Sequence, residues 1–353
     1  MFLRNAWYVA ALARDLGGEL TARTICKEPV VLFRTSDGSP AALADRCCHR
    51  YLPLSLGVHL GDRIRCGYHG LEFNAEGACV AVPGQSTIPP GAAVRSYPTV
   101  ERHGFVWIWM GDPALADPAT IPDYRWNTDP GWAPPDEVAI GGAAEVGCHY
   151  MLSIDNLLDL THEIYIHAST LAADSITENP MKTTRTGSSV SIERWMIGED
   201  PGALWTRALW GDAPPEPKRA DRWQIVHYFP PSHTLLDVGA APAGTGAPEG
   251  DRARAAEARI AITLTPIDET RSVYYWMFPN NFTRDRAMAD WLQTAISGAY
   301  VEDFTALEAQ QKSMNGRADA WKIDVNADAG QIAARKLHDR LIAEEQARTR
   351  AAA

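Results

Sequence analysis

Two short stretches in the first third of the chain each carry one thiol and one imidazole. They are Cys47-Cys48-His49 and Cys66-Gly67-Tyr68-His69, with sixteen residues between His49 and Cys66. Two thiolates and two imidazoles admit two metal chemistries. One is a [2Fe–2S] cluster whose two irons take a thiolate pair and an imidazole pair, which raises its potential above that of all-thiolate clusters. The other is a tetrahedral zinc site. Zinc fingers usually gather their cysteines in one half and their histidines in the other. Here each stretch supplies one of each, and that alternation favours the cluster and electron transfer.

A second stretch, Asn156-Leu157-Leu158-Asp159-Leu160-Thr161-His162-Glu163-Ile164-Tyr165-Ile166-His167, places two histidines five residues apart. On an unbroken helix they would diverge by about 140°, so one metal can take both only if the helix ends or distorts between them. Alone, two histidines are as easily structural. Asp159, three residues before His162, is placed to accept an imidazole N–H. Far downstream, Leu292, Ile296, Ala299 and Leu307 form an apolar helical stripe that includes Asp303. A carboxylate on such a stripe needs a partner, and a metal is a natural one. Two histidines and a carboxylate make the facial triad of non-haem Fe(II) oxygenases, which leaves positions open for dioxygen. Glu302, about 100° further round the helix, is expected in solvent.

These groups need a scaffold, and 353 residues suffice for roughly two domains of about 150 each. Hydrophobic residues at 46% and charged residues at 22% are ordinary globular usage. The net charge of −11 without a basic block argues against nucleic acid or an anionic membrane as partner. No apolar run is long enough to span a bilayer, and the N-terminus does not read as a signal peptide, so a cytoplasmic location is expected. Six cysteines in a chain this long do not make a disulfide scaffold.

The first hundred residues read as short strands joined by Gly- and Pro-bearing turns, with hairpins at 29–44, 71–80 and 94–110. A Pro- and Asp-rich stretch from Gly111 to about Pro135 reads as the linker, with domains at 1–112 and 113–353. Beyond it the pattern predicts a helix over 153–167 and strands at 189–196, 203–209, 223–229, 234–238, 259–265 and 272–278. A mobile loop at 240–250 and helices at 286–313 and 331–348 complete an α+β layer. His59, His103 and His338 read as surface or turn residues, and His149, His227 and His233 as residues that could face a pocket. Trp205, Arg207, Trp210, Tyr228, Tyr275, Trp276 and Asn281, assigned to strands, are candidates for a pocket wall, with Arg207 a guess for an acid anchor.

Cys47-Cys48-His49-Arg50 and Cys66-Gly67-Tyr68-His69-Gly70-Leu71 resemble the two cluster boxes of the Rieske non-haem iron oxygenases. Asp155-Asn156-Leu157-Leu158-Asp159-Leu160-Thr161-His162 resembles their mononuclear iron box. The likeness runs over nearly the whole chain, through Asn5-Ala6-Trp7-Tyr8-Val9-Ala10, Pro83-Gly84-Gln85, Trp107 to Pro113, and Asp221 to Ile225 with Pro230 to His233. Within the family it points to the group of vanillate O-demethylase, aryl-sulfonate methyl-monooxygenase and dicamba O-demethylase. Cys48 departs from the pattern, standing where most members carry proline, and reads as a free thiol.

The resemblance implies an all-β Rieske [2Fe–2S] domain followed by an α+β helix-grip (START/Bet v1-like) catalytic domain with an antiparallel sheet. It implies cluster ligands Cys47, His49, Cys66 and His69 and iron ligands His162, His167 and Asp303. Asp159 would bridge the cluster of one subunit to the iron of the next in a homotrimer, with Asn156 close to the iron. The implied activity is that of a monooxygenase component in aromatic and lignin catabolism, fed by NADH or NADPH through a separate flavin and ferredoxin-type reductase. With O₂ it would hydroxylate the methyl or methoxy carbon of an aromatic acid, foremost by O-demethylation of vanillate-like methoxybenzoates to a phenol and formaldehyde. The alternatives are a benzylic hydroxylase of a methylbenzenesulfonate or methylbenzoate, a ring dihydroxylase, a Rieske electron carrier, or a module that only binds aromatic ligands. The length beyond residue 112 and the second triad speak against the last two.

Overall fold

The computed structural model describes residues 1–132, 139–167, 179–211, 213–314 and 323–352. The chain forms two compact units, Met1–Pro122 with Thr265–Glu269, and Asp123–Leu264 with Thr270–Ala353. The stretch just after residue 112 packs with the first unit, because Trp7 Nε1 donates to the Asp117 carbonyl and Arg102 Nη1 to that of Pro118. Pro135, the expected end of the linker, lies outside the described residues.

The first unit contains strands β1 (Trp7–Leu12), β2 (Thr21–Ile25), β3 (Glu28–Arg34), β4 (Pro40–Ala44), β5 (Val58–His59), β6 (Arg63–Arg65), β7 (Glu72–Asn74), β8 (Cys79–Ala81), β9 (Ser96–Tyr97), β10 (Thr99–Arg102) and β11 (Phe105–Trp109). They form antiparallel sheets in the orders β1-β11-β10, β2-β3-β4-β9 and β5-β6-β7-β8. The three expected hairpins are β3–β4, β7–β8 and β10–β11. Val31, Phe33, Leu43, Ile64 and Phe73 make the core into which Cys47 and Cys66 also fold. The cysteine-bearing loops are therefore anchored by burial at their thiol ends.

The second unit is built on one antiparallel sheet in the order β12-β18-β17-β16-β15-β14-β13. Its strands are β12 (Gly141–Val146), β13 (Met181–Arg185), β14 (Val190–Glu199), β15 (Ala220–Phe229), β16 (His233–Pro242), β17 (Ala256–Pro266) and β18 (Ser272–Met277). Helices α1 (Tyr150–Leu157), α2 (Glu163–Ile166), α3 (Gly202–Trp210), α4 (Arg286–Met314) and α5 (Ala329–Ala352) complete it. The α+β expectation holds in this unit.

Polar pins fix the helices. Gln293, Glu308 and Gln311 of α4 accept the backbone N–H groups of Gly141, Gly147 and His149. Arg335 of α5 clamps the buried Asp155 carboxylate of α1, and the Tyr150 hydroxyl meets His338 Nε2 at 2.6 Å. His338 is thus buried, not a surface residue.

Two further expectations give way. Residues 203–209 are helical, not a strand, so Trp205, Arg207 and Trp210 sit on α3. An Asp200 carboxylate that takes the Gly202 N–H and a Gly211 at φ 61° punctuate this helix at its two ends. The stretch 240–250 is ordered. β16 continues to Pro242, Gly244 N–H donates to Asp221, and Ala247 is buried beside Trp223.

Candidate metal centres

In the first unit Cys47 and Cys66 are 1% and 3% exposed, while His49 and His69 face solvent. The two imidazole rings lie 4.5 Å apart, edge to face. Burial pushes the Cys47 thiol up to about 11, and the Cys66 thiol beside it adds to the rise. A metal ion is what would make thiolates of such a pair. An inner pair of sulfurs and an outer pair of imidazoles suits a cluster whose two irons differ in ligand type. Cys48 is half-buried and free, as expected.

The second centre follows a broken helix. α1 ends at Leu157 and α2 begins at Glu163, which replaces the single helix expected over 153–167. In the intervening turn the Asp159 carboxylate accepts both the backbone N–H and the hydroxyl of Thr161. α2 then ends at Ile166, so His167 leaves the helical path, and two histidines five apart face the same point. His162 Nε2 lies 3.5 Å and His167 Nε2 3.2 Å from Asp303 Oδ1 of α4. The three ligand atoms lie within 4.8 Å of one another. Asn156 of α1 donates to Asp303 Oδ1 at 3.0 Å.

The outer nitrogen of each imidazole is occupied. His162 Nδ1 meets the main-chain carbonyl of Asp159, not its carboxylate as expected. His167 Nδ1 lies 2.8 Å from Glu302 Oε2, so Glu302 is not solvated but holds a ring. With Nδ1–H donated outward, both Nε2 lone pairs remain for a metal. Burial lowers the His167 imidazolium pKa, but Asp303 and Glu302 together outweigh it and raise the value to about 9. Two nitrogens from the two ends of α2 and one carboxylate oxygen from α4 fit the facial triad of a non-haem Fe(II) centre.

His162, His167 and Asp303 border a cavity of about 130 Å³. Leu204, Leu236, Val238, Ile260, Phe278 and Ile296 supply apolar wall, and Trp205 from α3 is the one pocket candidate of the sequence that reaches it. Arg207 instead sits over the Trp291 ring at 4.7 Å. Among the described residues, His149 caps α1 and His227 Nδ1 meets the Ser191 hydroxyl at 2.7 Å, and neither lines the cavity. His233 is buried elsewhere in the sheet and does not line it either. The cavity's polar wall contains Glu163, Arg222 and Gln224, which sequence reasoning missed.

Comparison with known proteins covers both halves. Residues 6–98 match the Rieske [2Fe-2S] domain, and residues 146–344 match the vanillate O-demethylase oxygenase C-terminal domain. The chain is 43% identical to a toluene-4-sulfonate monooxygenase system iron–sulfur subunit of Comamonas testosteroni, over 99% of each chain. It is 37% identical to a vanillate O-demethylase oxygenase subunit of a Pseudomonas species, over 98% of this chain and 96% of that one. The crystal structure of dicamba monooxygenase bound to 3,6-dichlorosalicylic acid superposes with a TM-score of 0.90 at 32% identity, over 98% and 99% of the two chains.

Proposed function

Because the chain belongs to the Rieske non-haem iron oxygenases of the vanillate O-demethylase group, we propose that it hydroxylates a methyl-type carbon on the ring of an aromatic acid. Membership makes it the terminal oxygenase component of a reductase-dependent monooxygenase system, with a Rieske [2Fe–2S] cluster and a mononuclear non-haem iron as cofactors. When bound, these two centres supply one-electron transfer and dioxygen activation.

In this reading Cys47, His49, Cys66 and His69 hold the cluster, and His162, His167 and Asp303 hold the iron. Asn156 steadies Asp303 through its amide, while Glu302 and the Asp159 carbonyl keep the two imidazoles in the tautomer that ligates. The cluster ligands fall in residues 1–112 and the iron ligands in 113–353, which goes with the domain division drawn from the sequence. The chain acts as a homotrimer in which Asp159 links the cluster of one subunit to the iron of its neighbour. The absence of any helix long and apolar enough to cross a membrane, among the described residues, goes with a cytoplasmic location.

The observation that carries this reading is the convergence of the triad on an apolar cavity of about 130 Å³. Cavities of about 150 Å³ accept benzene, and this one is slightly smaller, so a single ring is the largest group it could take and its walls must give a little. Apolar walls keep water from the reacting carbon, and the ring's flat faces are what such walls hold. A methoxy carbon would give a phenol and formaldehyde, which would be an O-demethylation, the reaction for which the vanillate relatives are named. The 43% identity to the toluene-4-sulfonate subunit favours a second version, attack on a benzylic methyl.

A panel of vanillate, toluene-4-sulfonate and 4-methylbenzoate, with NADH and a compatible reductase, separates the two. Formaldehyde with protocatechuate marks the demethylase, and a benzylic alcohol marks the methyl hydroxylase. A cis-diol from any of them would overturn both.

A further inference from the structure

We propose that Arg222 is the anchor for the acid group of the aromatic substrate, with Gln224 and Glu163 holding its guanidinium in place. The proposal rests on the reading of the cavity as the substrate site and adds the part of the substrate that the triad does not recognise. Arg222 lies near the start of β15, an inner strand of the sheet, is 7% exposed, and borders the same cavity as His162, His167 and Asp303. Its Nη2 faces Glu163 Oε2 at 3.6 Å. Among the described residues, its Nε and Nη1 are buried without an acceptor.

A buried guanidinium with two idle nitrogens is costly, because each lost its water without gaining a partner. Neither nitrogen is open to the cavity as the side chain stands, so an incoming acid repays that cost by drawing the guanidinium toward it. Gln224, two residues along on the same face of β15, donates its amide to Glu163 Oε1. That bond turns the carboxylate's other oxygen toward Arg222 Nη2 and so leaves the idle nitrogens of Arg222 unclaimed. The neighbouring walls are apolar, so among the residues of this cavity the outer acid oxygens of a ring have Arg222 as their natural cation. The chemistry is that of a single oxyanion, carboxylate or sulfonate, met by a planar cation that stays charged.

The anchor also implies an orientation. The acid held at Arg222 sets the ring in the cavity, and the carbon on the far side of the ring is the one left toward the triad. An acid and a reacting methyl at opposite ring positions would satisfy both demands.

The test is anaerobic calorimetric titration of the holoenzyme with two acid–amide pairs. One pair is toluene-4-sulfonate and toluene-4-sulfonamide, the other 4-methylbenzoate and 4-methylbenzamide, so the sulfonate and carboxylate arms are read separately. Wild type should bind at least one acid more tightly than its amide. Arg222→Gln should weaken that acid about 10- to 100-fold, the usual range for losing a charge-assisted hydrogen bond, and leave the amide nearly unchanged. Arg222→Lys should recover part of the preference. Should Arg222→Gln fold poorly with Glu163 left unpaired, Glu163→Gln/Arg222→Gln removes both charges and should show the same loss of preference. Equal weakening of acid and amide, no change in either, or no preference in wild type would overturn the anchor. Turnover of neutral methylarenes as efficient as that of acids would overturn it while leaving the methyl-hydroxylase reading standing. Acid-selective binding without turnover of any aromatic would keep the anchor and sink that reading.

Discussion

Glu302 Oε2 stands 2.8 Å from His167 Nδ1, while the adjacent Asp303 faces Nε2 of the same ring at 3.2 Å. Two consecutive acids of α4 therefore grip one imidazole from both edges. One carboxylate is placed to share a metal with the ring, and the other fixes which nitrogen is free to do so. Loss of such an outer partner commonly costs 10- to 100-fold in metal affinity. Glu302→Ala should lower Fe(II) affinity by about tenfold or more, read by competition with a chelator. Unchanged affinity would mean that the ring is oriented by packing alone.

The same pair of acids dictates a pH dependence. In the metal-free protein the His167 pKa is raised to about 9, above the ordinary value near 6.5. The proton therefore stabilises the metal-free fold fully below about 6.5, and that contribution fades as pH rises through about 9. A metal needs the neutral ring, so uptake at pH 7 must expel this proton. Fe(II) affinity should rise about tenfold per pH unit from about 7 and level off above about 9. Titrations in buffers of different ionisation enthalpy should show about one proton released near neutrality. A pH-independent affinity across that window would contradict the assignment.

Much of the metal chemistry was legible in the sequence because it is carried by residue type and spacing. The alternating Cys and His of 47–49 and 66–69 announce a mixed ligand set without any coordinates. His162 and His167 imply that a helix must end between them, and α2 does so at Ile166, one residue before His167. Glu302 was not legible, because a helical wheel measures angle from a core stripe and cannot know that His167 approaches from one side. Arg222 and Gln224 were hidden for a related reason. Period-2 alternation says which residues share a face of β15, but not that this face borders a cavity. The strand expected at 203–209 failed because seven residues, Ala203-Leu204-Trp205-Thr206-Arg207-Ala208-Leu209, are too short an apolar run for the period to tell strand from helix. Asp200-Pro201 before it and Gly211 after it were the available helix signals.

Asp159 is the proposed link between subunits, and its carboxylate also ties down Thr161 in the turn that leads into His162. Asp159→Asn keeps one amide oxygen for the Thr161 N–H, so both metals should be retained. Turnover should nevertheless fall by at least about tenfold, since the hydrogen-bonded link between centres loses a charge. Full activity in this variant, or a fully active monomer by sedimentation at assay concentration, would contradict the intersubunit route.

The wall of the second unit should tolerate no added volume at Gly239. This residue of β16 pairs with Trp223 across the sheet, and a Cβ there would lie 2.3 Å from Trp223 Cζ2. The indole cannot retreat freely, because its Nε1 donates to Asp237 at 2.8 Å. Gly239→Ala should cost about 1–3 kcal/mol of stability, seen as a lower thermal midpoint with the cluster spectrum unaltered. An unchanged midpoint would show that the indole repacks without strain.

The central claim is that His162, His167 and Asp303 form the iron centre at which substrate is oxidised, separate from the cluster. The most direct measurement is the iron content, the reduced-cluster spin-resonance signal and the product yield of His162→Ala, taken on one preparation. The account predicts a full Rieske signal, one iron per chain fewer than wild type, and no product from any aromatic acid that wild type converts. Retained turnover with the iron lost, or loss of the cluster signal with the iron kept, would contradict it.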